Sequence, residues 1–243
     1  MSEVFLIEHT PDPEKLIAKA AKLCYSPSPI ENVIEQIDCE DTEKFIKKLF
    51  ELNHLSPFEH ANFTFGVKCS RACSHQWVRS RIASHSQKSM RYVKENQFDF
   101  YIPPSIKNSI FRMEYCHLMR QIQDLYNVME NIPNEDRRFI LPIACQTQII
   151  TTMNARELIH FFSVRCCNRA QWEIRGIARK MLYLVRQIAP NIFNNAGPNC
   201  LTRKCPEGKM SCGKFTEVRE IFKNDDALFF EIQKIKENEL KFD

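Results

Sequence analysis

The sequence predicts an α+β fold, a mixed sheet packed with long helices. Three features of the 243 residues support it. Short β-rich segments recur at 4–8, 63–67 and 146–153. Long amphipathic stretches occupy 108–129 and the run that ends at Ile188. Strand and helix do not alternate regularly, which argues against a chain of βαβ units.

In chain order, Val4 to Glu8 reads as an opening strand. Asp12 before Pro13 reads as an N-cap with proline at the first helical position, starting a helix to Cys24 that Ser26-Pro-Ser-Pro29 breaks. Phe45, Ile46, Leu49 and Phe50 form one stripe of a second helix over 42–52. Residues 53–59 are a turn region. Phe63, Phe65 and Val67 alternate with Thr64 and Gly66, the period of a strand with one buried face. A helix from Arg71 is expected to carry Gln76, Arg79 and Arg81 near its C-terminal part. Residues 84–91 lack apolar periodicity and read as loop. A long helix follows over 108–129, ended by Pro133, then a helical turn or two over 135–141. The β-branched run 146–153 reads as strand. Asn154 and Glu157 make a capping box, so a helix begins at Ala155 and runs to Arg165. A last long helix stops at Ile188 before Pro190. Asn195-Ala-Gly-Pro198 is turn-forming, and a charged helix is expected over 225–240. This divides the chain into a main domain, 1–190, and a cysteine-containing C-terminal extension, 191–243, with a terminal helix.

Charge is concentrated. No acidic residue occurs between Glu59 and Glu95, an interval holding Lys68, Arg71, Arg79, Arg81, Lys88, Arg91 and Lys94. The rest of the chain has 27 basic against 30 acidic residues. Focused positive charge beside hydroxyls and amides suits a polyanion, meaning nucleic acid, nucleotide or a phosphate-bearing cofactor. Only five glycines are present, and none forms G-x-G-x-x-G or a P-loop, so any phosphate must be held by side chains. No apolar run approaches the roughly 20 residues of a membrane span. The N-terminus shows no signal peptide, and eleven cysteines without one suggest reduced thiols in the cytoplasm.

Two apart on a helix, Arg79 and Arg81 would diverge, suiting two ligands or two parts of one. Arg91 with Ser89 offers a fork and a hydroxyl for phosphate. The bland alternative is a solvated basic face paired with acids. A nucleic-acid surface would use Trp77 and Tyr92 for stacking, but a pI near 8.4 favours a small anionic ligand. Arg165, between Phe161-Phe162 and Cys166-Cys167, calls for a buried partner or a ligand. Asn154 and Arg156 open a helix whose N-terminus favours anions. Cys166 and Cys167 are read as core filling. Cys200, Cys205 and Cys212 lack a nearby histidine and a fourth ligand, so no metal site is assigned. No Ser-His-Asp order or nucleophile elbow is present, and His60, His75, His85 and His160 read as structural or ligand-contacting.

Taken together, these motifs resemble those of the flavin-dependent thymidylate synthases. The family signature Arg-His-Arg, seven residues, Ser is matched by Arg79-Ser80-Arg81, seven residues, Ser89. Gln76-Trp77 precedes it and Arg91-Tyr92 follows. Ser56-Pro57-Phe58-Glu59-His60 resembles the upstream motif; Asn154-Ala155-Arg156 and Ala170-Gln171-Trp172-Glu173-Ile174 resemble the downstream ones. The resemblance implies that family's fold, covers about Val4 to Pro190, and makes the cysteine tail an extension found in part of the family. It implies conversion of dUMP to dTMP with methylenetetrahydrofolate as one-carbon donor and NADPH reducing bound FAD, in a homotetramer whose sites form between subunits.

By motif, Ser56, Arg79, Ser80, Arg81, Gln87, Asn154, Arg156 and His160 would bind FAD. Gln76, Arg79, Gln87, Ser89, Met90, Arg91, Gln148 and Arg165 would bind dUMP, with Arg165 and Ser89 catalytic. Ser80 replaces the signature histidine, and Ser86-Gln87 replaces the commoner Asn-Glu. Gln148 stands where an arginine toward the phosphate is often found, and Arg169, where a histidine is common, is a candidate to replace it. The alternatives are a flavoenzyme acting on another pyrimidine nucleotide, or a non-enzymatic nucleotide- or RNA-binding module using 68–94.

Overall fold

The computed structural model describes residues 2–39 and 41–240, with the side chains of all of these except 39 and 236–240. A four-stranded sheet contains β1 (Glu3–His9), β2 (Asn62–Ser70), β3 (Ala83–Gln87) and β4 (Gln146–Asn154), in the order β1-β2-β4-β3. Every pairing is antiparallel, so the α+β class holds while the sheet is uniform in strand direction. The helices are α1 (Pro13–Leu23), α2 (Ile30–Cys39), α3 (Glu43–Glu51), α4 (Arg71–Trp77), α5 (Pro104–Lys107), α6 (Arg112–Val128), α7 (Asn134–Arg137), α8 (Ala155–Arg165), α9 (Trp172–Ile188), α10 (Pro190–Phe193), α11 (Phe215–Phe222) and α12 (Asp225–Leu240).

Strand alternation decides the layers. Phe63, Phe65, Val67 and Cys69 of β2 and Ile149 and Met153 of β4 point into the core, where Ile174, Ile177, Met181 and Val185 of α9 meet them. On the other face lie Phe5, Ile7 and Ile150, each about half exposed. Val218 and Phe222 of α11 and Leu228 and Ile232 of α12 belong to the same core as the sheet. Two buried arginines of α9 hold that C-terminal part. Arg179 pairs with Glu231 at 2.7 Å and donates to Asn168 Oδ1 at 2.9 Å. Arg186 donates to the carbonyls of Phe193, Asn194, Ala196 and Phe222 and to Asp225.

Several elements differ from expectation. Asp12 does not cap α1: it takes a left-handed φ of 43° and its side chain makes no cap bond. Helix α2 was hidden behind the prolines, and α11 behind the cysteine loop. Helix α4 stops at Trp77, so Arg79 and Arg81 follow the helix rather than riding on it. The stretch 84–91 is not all loop, since 83–87 pair with β4 as an edge strand. A polar edge strand needs no apolar alternation, because its outward residues face solvent and its ladder bonds come from the backbone. Trp77 is fully buried against Phe161 at 5.0 Å and offers no stacking surface.

Candidate functional site

Sheet register brings the motifs to one place. Met153 of β4 pairs with Ala83 of β3, so the turn before β3 lies beside the β4–α8 junction. Asn154 sits at that junction, and its Oδ1 accepts the Glu157 N–H at 2.8 Å as the helix cap. His85 pins the turn: its Nε2 donates to the Ser80 carbonyl at 3.0 Å, so its Nδ1 accepts the Thr151 hydroxyl, also at 3.0 Å. Both ring nitrogens are engaged, which makes His85 a positioning residue.

The α4 end is fixed by the Gln171–Glu173 motif. Gln171 Oε1 caps α9 by accepting the N–H groups of Glu173 and Ile174. The buried Glu173 carboxylate accepts the N–H of Ser70 at 2.7 Å, its hydroxyl at 2.5 Å, and the Ser2 hydroxyl at 3.0 Å. Ser70 Oγ in turn caps α4 by accepting from the Cys73 N–H at 3.0 Å. A carboxylate with three donors is well satisfied without a cation.

The result is a cavity of about 870 Å³ lined by five arginines, Arg79, Arg81, Arg156, Arg165 and Arg203, with Ser80, Asn154 and His160. Two acids face it. Glu59 is ion-paired with Arg156. Burial raises the pKa of Glu157, partly opposed by the nearby charge of His160. Arg165 is half-buried, donates from Nη2 to the Gln76 carbonyl at 3.0 Å, and has its pKa lowered by burial. Among the described residues, Arg79 and Arg81 have no hydrogen-bond or carboxylate partner, whereas Lys68, Lys88 and Arg91 of the same basic stretch pair with Glu3, Glu95 and Glu135. The volume and cationic lining fit a dinucleotide held by side chains.

The remaining sequence-predicted residues lie elsewhere. Ser56 lines a neighbouring cavity that shares Asn53, Leu55 and Arg156 with the large one. Gln87 donates through Nε2 to Ser74 Oγ and Thr147 Oγ1. Met90 is buried with Phe98 and Cys145. Ser89 Oγ accepts from the Arg91 N–H, and Gln76 donates to the Ala72 carbonyl. Gln148 faces a separate cavity of about 300 Å³ on the exposed sheet face, with Ser86 and Lys88. Arg169 lines a cavity beside Cys167, Cys200 and Cys205, so within one chain it does not meet Gln148. Sequence reasoning missed Arg203 and Gly197, which close the large cavity from the C-terminal segment. Gly197 has φ +146°, and a Cβ there would lie 2.6 Å from Leu201 Cδ1. The Asn195-Ala-Gly-Pro198 turn was the available signal.

Residues 5–191 match the family described as Thymidylate synthase complementing protein. A relative from Geobacter sulfurreducens is 49% identical over 227 residues, covering 91% of this chain and 98% of the relative. One from Clostridium tetani is 45% identical over 240 residues, covering 90% and 96%. Another, from Pyrococcus horikoshii, is 41% identical over 238 residues, covering 92% and 98%. All three are named flavin-dependent thymidylate synthase.

Proposed function

The chain belongs to the flavin-dependent thymidylate synthase family, and from that premise we propose that the arginine-lined cavity holds FAD and that the enzyme converts dUMP to dTMP with methylenetetrahydrofolate and NADPH. The observation that carries the assignment of the site is the pair Arg79 and Arg81, cations without a hydrogen-bond or carboxylate partner among the described residues, beside the N-terminus of α8. Two such guanidiniums suit the two phosphates of an extended dinucleotide, and the helix dipole adds to the positive field. Arg156, His160, Asn154, Ser80 and nearby Ser56 complete the cofactor set. FAD held by these residues, with NADPH as reductant, would supply the redox and one-carbon chemistry of the reaction.

The protein's part is position and charge. Arg165 is fixed through the Gln76 carbonyl and keeps further donors for negative charge developing on the pyrimidine ring. Buried thiols make poor nucleophiles here. Cys73 is raised far above the ordinary thiol range by its hydrogen bond with Cys69 and by burial, and burial pushes Cys145 and Cys166 up to about 12. Chemistry without a protein thiolate agrees with that.

Gln76, Gln87, Ser89, Met90, Arg91 and Gln148 form the nucleotide set, Ser89 being catalytic with Arg165. Most of these lie away from the large cavity within one chain, so the proposal includes a homotetramer in which one subunit's nucleotide set meets another's flavin set. The apolar residues on the uncovered sheet face, Phe5, Ile7 and Ile150, offer surface for such contact. Residues 1–190 would carry catalysis, with 191–243 an extension that walls the cavity. All ten described cysteines are free, which suits a reducing cytoplasm. No helix among the described residues is long and apolar enough to cross a membrane.

Flavin absorbance during FAD titration, followed by dUMP, tests the site. Wild type should bind FAD and shift its band with dUMP, and should release tritium from labelled dUMP. Arg79→Ala should weaken FAD at least about tenfold, the value of roughly 1.5–3 kcal/mol for a charged hydrogen bond. Unchanged FAD affinity in that variant would remove Arg79 from the cofactor site.

A further inference from the structure

Glu157 sits in the first turn of α8, is only 7% exposed, and lines the large cavity together with Arg156 and His160. Its backbone N–H donates to Asn154 Oδ1. A capping box would also have the Asn154 N–H donate back to the Glu157 carboxylate. Only the first half of that exchange forms. Asn154 is still part of β4, in register with Asn62, and the carboxylate is left over. Among the described residues it has no hydrogen-bond or ion-pair partner, although its group feels the charge of His160.

The contrast with the other acid of the cavity is direct. Glu59 is ion-paired with Arg156, so its charge is already answered. Glu157 shares the same cavity with five arginines and pairs with none of them. A buried acid without donors is costly, and a ligand that brings donors removes that cost. Resting on the reading of this cavity as the FAD site, we propose that Glu157 binds the sugar hydroxyls of the dinucleotide, making it a further cofactor-binding residue.

The order of groups in FAD selects hydroxyls over the other donors. Arg79 and Arg81 and the N-terminus of α8 provide for the pyrophosphate, and Glu157 belongs to the first turn of that helix. The groups joined directly to the pyrophosphate are the ribityl chain on one side and the ribose on the other. The N–H donors of the flavin ring and of adenine lie beyond them. A carboxylate suits adjacent hydroxyls, as an acidic residue does for the ribose of dinucleotides bound at glycine-rich turns. Charge alone would give Glu157 the opposite effect. An acid that merely tempers a cationic cavity weakens every anion, so its removal would tighten FAD.

The test therefore reads a sign. FAD affinity is measured on full-length wild type, Glu157→Ala and Glu157→Gln, with inorganic pyrophosphate as a competitor that has no sugar. The alanine variant should lose at least about tenfold for FAD, and glutamine, which keeps a neutral acceptor oxygen, should lose less. Pyrophosphate should bind both variants as well as wild type or better. Circular dichroism should not change; if alanine does not fold, the glutamine loss decides. FAD analogues lacking one hydroxyl, in the ribityl chain or in the ribose, distinguish the two sugars. The analogue that lacks the bonded hydroxyl should bind wild type weakly and lose little more in the variants. Unchanged or tighter FAD binding in the variants, a parallel loss for pyrophosphate, or analogues that all show additive losses would each overturn the proposal while leaving the FAD site in place. A wild type that binds no FAD would overturn both.

Discussion

Arg186 on α9 gives its guanidinium to the carbonyls of Phe193, Asn194, Ala196 and Phe222 and to Asp225, and is 3% exposed. Arg81, in the turn before β3, is exposed and has no partner among the described residues. The same side chain is thus used in opposite ways within one molecule. A buried cation must have its donors filled by protein, since desolvation without compensation is costly. An exposed, unfilled guanidinium lining a concave surface has its hydrogen-bonding capacity free for a ligand. The difference teaches that donor saturation, more than charge count, separates structural arginines from ligand-binding ones. Within the basic stretch 68–94, Lys68, Lys88 and Arg91 pair with carboxylates, while Arg79 and Arg81 have no such partner among the described residues, so these two carry the contrast and Arg91 would have to exchange Glu135 for a ligand.

The largest effect should come from Arg186→Ala. It removes a partner shared by three carbonyls of the turn that leads to Gly197 and by the Phe222 carbonyl at the end of α11, and it breaks the ion pair with Asp225 at the start of α12. A loss on the order of 3 kcal/mol in urea unfolding is expected, because several buried acceptors are left unsatisfied together. A loss below about 0.5 kcal/mol, typical of a surface substitution, would end the contrast. Arg81→Ala should behave in reverse. Its unfolding free energy should stay within about 0.5 kcal/mol of wild type, while FAD affinity falls at least about tenfold. Denaturation and FAD titration on the same preparations separate the two outcomes. Parallel losses of stability and affinity would show Arg81 to be structural.

Periodicity and capping were the parts of the fold legible in the sequence. Apolar alternation identified β2, β-branched composition identified β4, and the Asn154–Glu157 signal placed the start of α8 where the cap bond lies. What failed were elements whose formation depends on neighbours. Strand β3 is polar, and its pairing is supplied by β4. Asp12 had a capping residue type but sits in a left-handed turn that turns its side chain from that role. At the candidate site, Arg79, Ser80, Arg81, Asn154, Arg156, His160 and Arg165 were nominated from charge and motif, and the structure places all seven on one cavity. Arg203 was not found, because nothing local links the extension to the sheet. The extension is held by tertiary contacts without a sequence period, through Arg179 and Arg186 of α9 and the core residues Val218, Phe222, Leu228 and Ile232.

The smallest effect concerns Glu157, an acid among these cations, and it asks whether the open arginines or burial dominate its surroundings. Burial raises its pKa above the ordinary carboxylate value, with His160 opposing. The folded protein therefore binds this proton more tightly than the unfolded chain does. Stability from this group is full below the unfolded pKa and is lost as pH rises through the folded one. Glu157→Gln removes the titration while leaving the N–H that Asn154 caps. The difference in Tm, variant minus wild type, should therefore be small at the acidic end and grow more positive with rising pH, levelling off above the folded pKa. Scanning both proteins without ligand at a series of pH values measures it. A difference that falls with pH would mean that the field of Arg79, Arg81 and Arg156 already holds the carboxylate charged. In that case the openness of the cavity arginines would contribute to the folded protein itself, and the division from Arg186 would be one of degree.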